Sequence, residues 1–183
     1  GKVNELTLDQ LKKLDAAKLF GDKFQGVQIP TLEEVLEGIG RRIIVNIELT
    51  NYASSRDDLV PRVTKIVQRH GLEDQILFSS FLGRNLRIAA QLCPRVPVAI
   101  LCLPGFPGFL NRSSLLVRTS PEIIHPYLRD VKKDLVDREH RRGRRVHTWT
   151  VNREKDLEFV FGCGVDGVFT DDPLTALRVM EPR

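Results

Sequence analysis

Nowhere do the 183 residues hold an apolar run near the roughly 18 that a membrane-spanning helix needs. The opening stretch, Gly1 to Lys13, has no basic start followed by an apolar core, so it carries no signal-peptide pattern. It also has no initiating methionine, and the expected compartment, cytoplasmic, rests on the missing leader and spans alone. Cysteine is scarce: Cys93, Cys102 and Cys163 are odd in number, widely spaced and without zinc-ligand spacing, which predicts reduced packing thiols. No glycine-rich phosphate fingerprint follows any candidate strand, which weighs against a dinucleotide-binding sheet. A large charge excess is missing too. The 28 basic and 24 acidic residues leave a net charge of +4, which suits anionic small molecules without calling for nucleic acid.

What is present is ordinary globular composition, 42% hydrophobic and 28% charged, long enough for one domain over residues 1–183 with a sizeable core. Leucines at helical spacing predict a helix over Thr7 to Leu19, and Thr31 with Glu34 forms a capping box for a second from Leu32 to Gly38. The β-branched run Ile43 to Leu49 reads as a strand of a parallel sheet. Alternation then repeats. Helices are expected at Leu59 to His70, Asn85 to Leu92, Val131 to Arg142, Glu154 to Gly162 and Leu174 to Met180. Strands are expected at Gln75 to Phe81, Val96 to Leu103, Glu122 to Tyr127, Arg145 to Val151 and Gly167 to Thr170. Pro104 to Gly108 reads as an irregular loop, and the apolar stretch to Phe109 as a lid or partner surface, or as a loop over the barrel mouth. About six βα units with no hairpin signal between them predict a parallel α/β fold, either a doubly wound sheet or a TIM barrel short of about two of its eight strands.

Glu48 is the most informative residue. Period-two alternation sets Asn46, Glu48 and Thr50 on one face and Val45, Ile47 and Leu49 on the other. The apolar set is expected against helices and the polar set toward the mouth, where such barrels keep their active sites. A buried carboxylate there needs a metal, a proton or a partner cation.

Ile29-Pro30-Thr31-Leu32-Glu33-Glu34-Val35-Leu36, Asn46-Ile47-Glu48-Leu49 and Ser79-Ser80-Phe81 together resemble the glycerophosphodiester phosphodiesterase family. Val146-His147-Thr148-Trp149-Thr150-Val151-Asn152 and the run Gly164 to Pro173 continue the resemblance in order. It implies a TIM (β/α)8 barrel of the phospholipase-C-like type, releasing an alcohol and glycerol 3-phosphate from a glycerophosphodiester. It further implies a divalent metal, Mg²⁺ or Ca²⁺, with Glu48 as a ligand. Trp149 and Phe81 become substrate-pocket residues. Thr50 stands where the family often has a phosphate-binding lysine, and His125, on a strand near the mouth, joins them as a substrate-binding candidate. The family's His-Arg-Gly strand and later His-Asp pair are absent from these residues. Roughly two upstream strands are therefore expected to be missing, and hydrolysis by this chain alone is expected to be weak.

His70 and His140 read as solvated helix-end residues, and His125 and His147 as pocket-lining or structural ones. The basic run Arg138 to Arg145 reads as a helix end capped by Gly143 rather than a nucleic-acid patch. The alternative function is a non-catalytic barrel remnant that binds a phosphorylated ligand or a protein partner. With two open sheet edges, such a chain is expected to oligomerise or to need a further segment for closure.

Overall fold

The computed structural model describes residues 2–52, 54, 57–112 and 121–180. Two compact units divide the chain, Gly1–Ile43 and Ile44–Arg183.

In the first unit, Thr7 and Gln10 make a reciprocal capping box that starts α1 (Leu8–Lys12). The helix expected to run to Leu19 stops at Lys12. Asp15 takes over the backbone beyond it, its two oxygens accepting from the amides of Ala17 (2.9 Å) and Gly26 (3.0 Å). That long-range acceptor satisfies donors a continuing helix would have used locally. A second capping box, Thr31 with Glu34, starts α2 (Leu32–Ile39). Glu34 also pairs with Lys12, tying the two helices together.

All the strands lie in the second unit: β1 (Val45–Glu48), β2 (Ile76–Ser80), β3 (Val98–Leu101), β4 (Ile123–His125), β5 (Arg145–Thr148) and β6 (Gly167–Val168). They form one six-stranded sheet in sequential order, with every pairing parallel. Between them run α3 (Leu59–His70), α4 (Gly83–Leu92), α5 (Phe106–Arg112), α6 (Lys133–Arg141), α7 (Glu154–Gly162) and, last, α8 (Pro173–Met180). Gly71 ends α3 at φ +60°, the left-handed conformation that suits a residue without Cβ.

Alternation sorts the strand side chains. On one face Leu77, Ala99 and Ile123 cluster from three adjacent strands. The other residues of those strands, among them Phe78, Val98, Ile100 and Ile124, are also buried. Strands buried throughout like these are covered on both faces, which is why they read as largely hydrophobic runs. The three cysteines are buried and unpaired with one another.

Of the stretch expected to be an irregular loop, Pro104 and Gly105 are bends, whereas Phe106 to Gly108 form the start of α5. Pro107 falls in the first turn, where a missing N–H costs nothing. Gly108 is required by space: a Cβ there would fall 1.8 Å from the carbonyl oxygen of Leu103. Gly108→Ala should therefore cost about 1–3 kcal/mol through displaced backbone, read as a lower midpoint in urea denaturation. The Phe109 side chain, part of the expected lid, lies outside the described residues. No helix among the described residues is long and apolar enough to cross a membrane.

Candidate active site

Glu48 is the last residue of β1 and Leu101 the last of β3; Phe81 follows β2, Trp149 and Thr150 follow β5, and Phe169 follows β6. With Asn46 and Ser79 they line one cavity of about 220 Å³. Its walls are carbon on one side, Phe81, Leu101, Trp149 and Phe169, and polar on the other. Its position at the C-terminal ends of parallel strands is where βα enzymes gather their chemistry.

Glu48 was expected to be a buried charge held by a metal or a cation. It is instead exposed, because β1 has a strand neighbour on one side only. Its carboxylate accepts a 2.7 Å hydrogen bond from the Tyr52 hydroxyl. Burial, and then the Glu48 charge, push the Tyr52 phenol well above its ordinary range, so it stays protonated and remains a donor.

Tyr52 is held by a buried amide network. Asn85, on α4 and without exposed surface, donates to the Leu49 carbonyl (3.2 Å) and to Asn51 Oδ1 (2.6 Å). Asn51 in turn donates to Asp57 (2.7 Å). The loop after β1 is therefore fastened on both sides of Tyr52.

An aromatic series runs along the same rim. Tyr52 and Phe81 meet edge to face at 6.0 Å, Phe81 and Trp149 at 5.7 Å and 86°, and Tyr127 and Trp149 at 5.2 Å. Such contacts fix ring orientation as well as burying area. The Trp149 indole N–H donates to the His125 carbonyl at 2.8 Å.

His125 and Thr50 do not line the cavity. Thr50 is exposed beyond the end of β1. His125 has no exposed surface and stacks on His147 at 5.4 Å, with Phe169 at 4.8 Å. Neither of its ring nitrogens has a hydrogen-bond partner among the described residues. Burial, reinforced by His147, drives its pKa down to about 3, so it is a neutral ring at physiological pH.

The remaining motif residues are structural. Asn152 accepts from the Asp171 amide (2.9 Å) and donates to the Asp171 carboxylate (2.6 Å), clamping together the loops after β5 and β6. Asp172 accepts from the Thr175 amide at 3.1 Å and so caps α8. His140 is not merely solvated. Its Nε2 lies 2.8 Å from Asp166, which also accepts from the Val146 amide at 2.7 Å. Burial opposes ionisation of Asp166, but the Val146 amide and His140 outweigh it and hold the carboxyl below its usual range.

The basic run does close α6, with Gly143 at φ +73°, but its main partner is internal. Glu139, with no exposed surface, is contacted by Arg138 (3.3 Å), Arg142 (3.1 Å) and Arg144 (3.2 Å).

Sequential parallel βα units around a half-polar, half-apolar cavity at the strand ends define a barrel-type α/β enzyme. The chain belongs to the glycerophosphoryl diester phosphodiesterase family, which it matches over residues 1–175. It is 32% identical to a glycerophosphodiester phosphodiesterase of Caldanaerobacter subterraneus subsp. tengcongensis, over 98% of this chain and 73% of that protein. A glycerophosphodiester phosphodiesterase of Bacillus altitudinis is 31% identical over 99% of this chain and 74% of its own length. Among solved structures, an Oleispira antarctica phosphodiesterase in complex with the product sn-glycerol-3-phosphate superposes with a TM-score of 0.85. It is 24% identical, and the match covers all of this chain and 73% of that one.

Proposed function

We propose that the protein hydrolyses glycerophosphodiesters to an alcohol and glycerol 3-phosphate, and that the cavity between Glu48 and Trp149 receives the substrate. The observation that carries this reading is convergence. Glu48, Phe81 and Trp149 come from three separate family motifs and line one cavity at the strand ends. The two named relatives support the substrate class.

In this reading Trp149 and Phe81 offer flat apolar walls to the carbon skeleton and exclude water from it. Glu48 accepts a hydrogen bond from the ligand while Tyr52 holds its other side. The family resemblance gives Glu48 a divalent cation, Mg²⁺ or Ca²⁺. Hard cations take several oxygen ligands. Among the described residues no group of three or more His, Cys, Asp or Glu side chains converges. Glu48 alone does not make such a centre, and no step is assigned to a metal.

The barrel closure belongs to the same proposal. Among the described residues β1 and β6 each pair with one strand only, and an exposed strand edge invites pairing with further chain. We take the 1–183 stretch as one barrel domain whose remaining strands come from sequence outside these residues or from a second copy. Intact mass of the native protein against 20.8 kDa, with sedimentation, separates those two sources.

The direct test is glycerol 3-phosphate release from glycerophosphocholine with Mg²⁺ or Ca²⁺. It should be run on the native protein with whatever precedes Gly1, and on these 183 residues alone. Turnover is expected from the first and little from the second. No turnover by the native protein with either ion would sink the proposal. Trp149 is the only tryptophan among these 183 residues, so in the 183-residue chain its fluorescence reports occupancy. Glu48→Gln should weaken sn-glycerol 3-phosphate binding by roughly tenfold, the scale of one hydrogen bond to a charged group.

A further inference from the structure

Ser79 and Ser80 sit side by side at the end of β2, and both are fully buried. Their hydroxyls differ in one respect. Ser80 Oγ donates to the Leu49 carbonyl (2.8 Å) and accepts from the Leu82 amide (3.1 Å). Ser79 Oγ, on the opposite face, has no hydrogen-bond partner among the described residues. A hydroxyl taken out of water without a partner is a standing cost, and native proteins seldom leave one so.

Ser79 lines the cavity. It is paired in register with Glu48 across the parallel β1–β2 ladder. The chemistry of the lining then selects what can meet it. Asn46, Glu48, Ser79 and Thr150 offer an amide, a carboxylate and two hydroxyls, and among the described residues no Lys, Arg or His side chain lines the cavity. A phosphate pressed against Glu48 would find no cationic side chain there. A hydroxyl would find both an acceptor, Glu48, and a group that donates or accepts, Ser79. Its carbon skeleton would lie on Phe81 and Trp149.

We infer that Ser79 is a substrate-contacting residue that exchanges a hydrogen bond with a hydroxyl of the glycerol end, leaving the phosphate toward the cavity mouth. This rests on the proposed function, and it adds the residue that tells a polyol from a plain alkyl phosphate. A site that completes a buried polar group only with the right ligand discriminates against an analogue lacking that group.

The test uses the native protein, isothermal titration calorimetry and two probes: sn-glycerol 3-phosphate, and propyl phosphate, which has the same phosphate and no hydroxyl. The native protein should prefer the first by about tenfold or more, and Ser79→Ala should weaken it by about tenfold while changing propyl phosphate by less than about twofold. Equal binding of both probes by the native protein overturns the inference while leaving the substrate class intact. So does a folded Ser79→Ala protein that binds glycerol 3-phosphate as tightly as the native one, since the hydroxyl then bonds to something other than the ligand. Binding of neither probe removes the proposed function, and the inference with it. If the alanine variant fails to fold, the preference of the native protein between the two probes still decides.

Discussion

Glu139→Gln should lower the stability of the protein by about 3 kcal/mol, because it removes the charge from a buried ion cluster and leaves its cations behind. Glu139 has no exposed surface, and three guanidinium groups reach it within 3.3 Å. The three are not equivalent. The Arg144 side chain is 10% exposed, whereas those of Arg138 and Arg142 are 40% and 52% exposed. Water screens the two outer arginines, so Arg138→Ala and Arg142→Ala should each cost less than about 1 kcal/mol. Arg144 shares the burial of the carboxylate, so the damage concentrates in that pair. Replacing both together, Glu139→Leu with Arg144→Leu, should recover much of the loss, since well-packed apolar groups often match a buried pair. Urea denaturation of the four variants gives the ranking. A Glu139→Gln protein within about 0.5 kcal/mol of the native one would show that the cluster contributes little.

The same cluster marks where local pattern stops being informative. Glu139 is an interruption in a basic run when read along the chain, and its role depends on burial that no spacing reveals. The long helices were legible because their signals are local. α3 runs from Leu59 to His70 and stops at Gly71, as its apolar spacing and left-handed cap predict, and α7 keeps its expected bounds of Glu154 to Gly162. The strands were legible in kind and order, but each is shorter than its apolar run, because pairing with a neighbour sets strand ends. α1 fell short for a non-local reason, the capture of the Gly26 amide by Asp15.

The candidate site divides in the same way. Glu48, Phe81 and Trp149 were legible because each lies in a motif, and strand alternation explains why Asn46 joins Glu48. Tyr52, Ser79 and Asn85 were not. What distinguishes Tyr52 is a bond to Glu48, what distinguishes Asn85 is the loop it fastens, and what distinguishes Ser79 is the partner it lacks. A buried amide close behind the Ser-Ser-Phe motif was the one available clue, and by itself it would have read as helix surface. His125 was placed correctly on a strand. Its burial against His147 and Phe169, without a place in the cavity lining, is something only the assembled sheet defines.

That burial has a consequence for acid stability. An unfolded histidine takes up a proton near pH 6.5, whereas His125 in the folded protein does so only at about 3. Between those values the unfolded chain holds more protons than the folded one. Folding stability is therefore full above pH 6.5 and falls by about 1.4 kcal/mol for each further unit of acidification. From pH 7 to pH 5 the loss from His125 should be about 2 kcal/mol, rising to about 4 kcal/mol by pH 3. His147 acts in the same direction: burial lowers its pKa, and the Asp166 charge only partly offsets that. The carboxylates held low, Asp166 and Asp172 among them, give up their stability only below the ordinary carboxylate range. The interval from pH 6.5 to 5 thus isolates the histidines. Denaturant titrations at half-unit steps should show the slope there, and His125→Leu should flatten most of it while leaving the behaviour below pH 3 in place. Imidazole proton resonances supply the independent reading, since His125 should stay neutral in the folded protein at pH 5. A ring that titrates near 6.5 in the folded state, or a stability that is level from pH 7 to 5, would mean that water or a partner reaches His125. The dry, unpartnered setting of the His125 ring would then have to be given up.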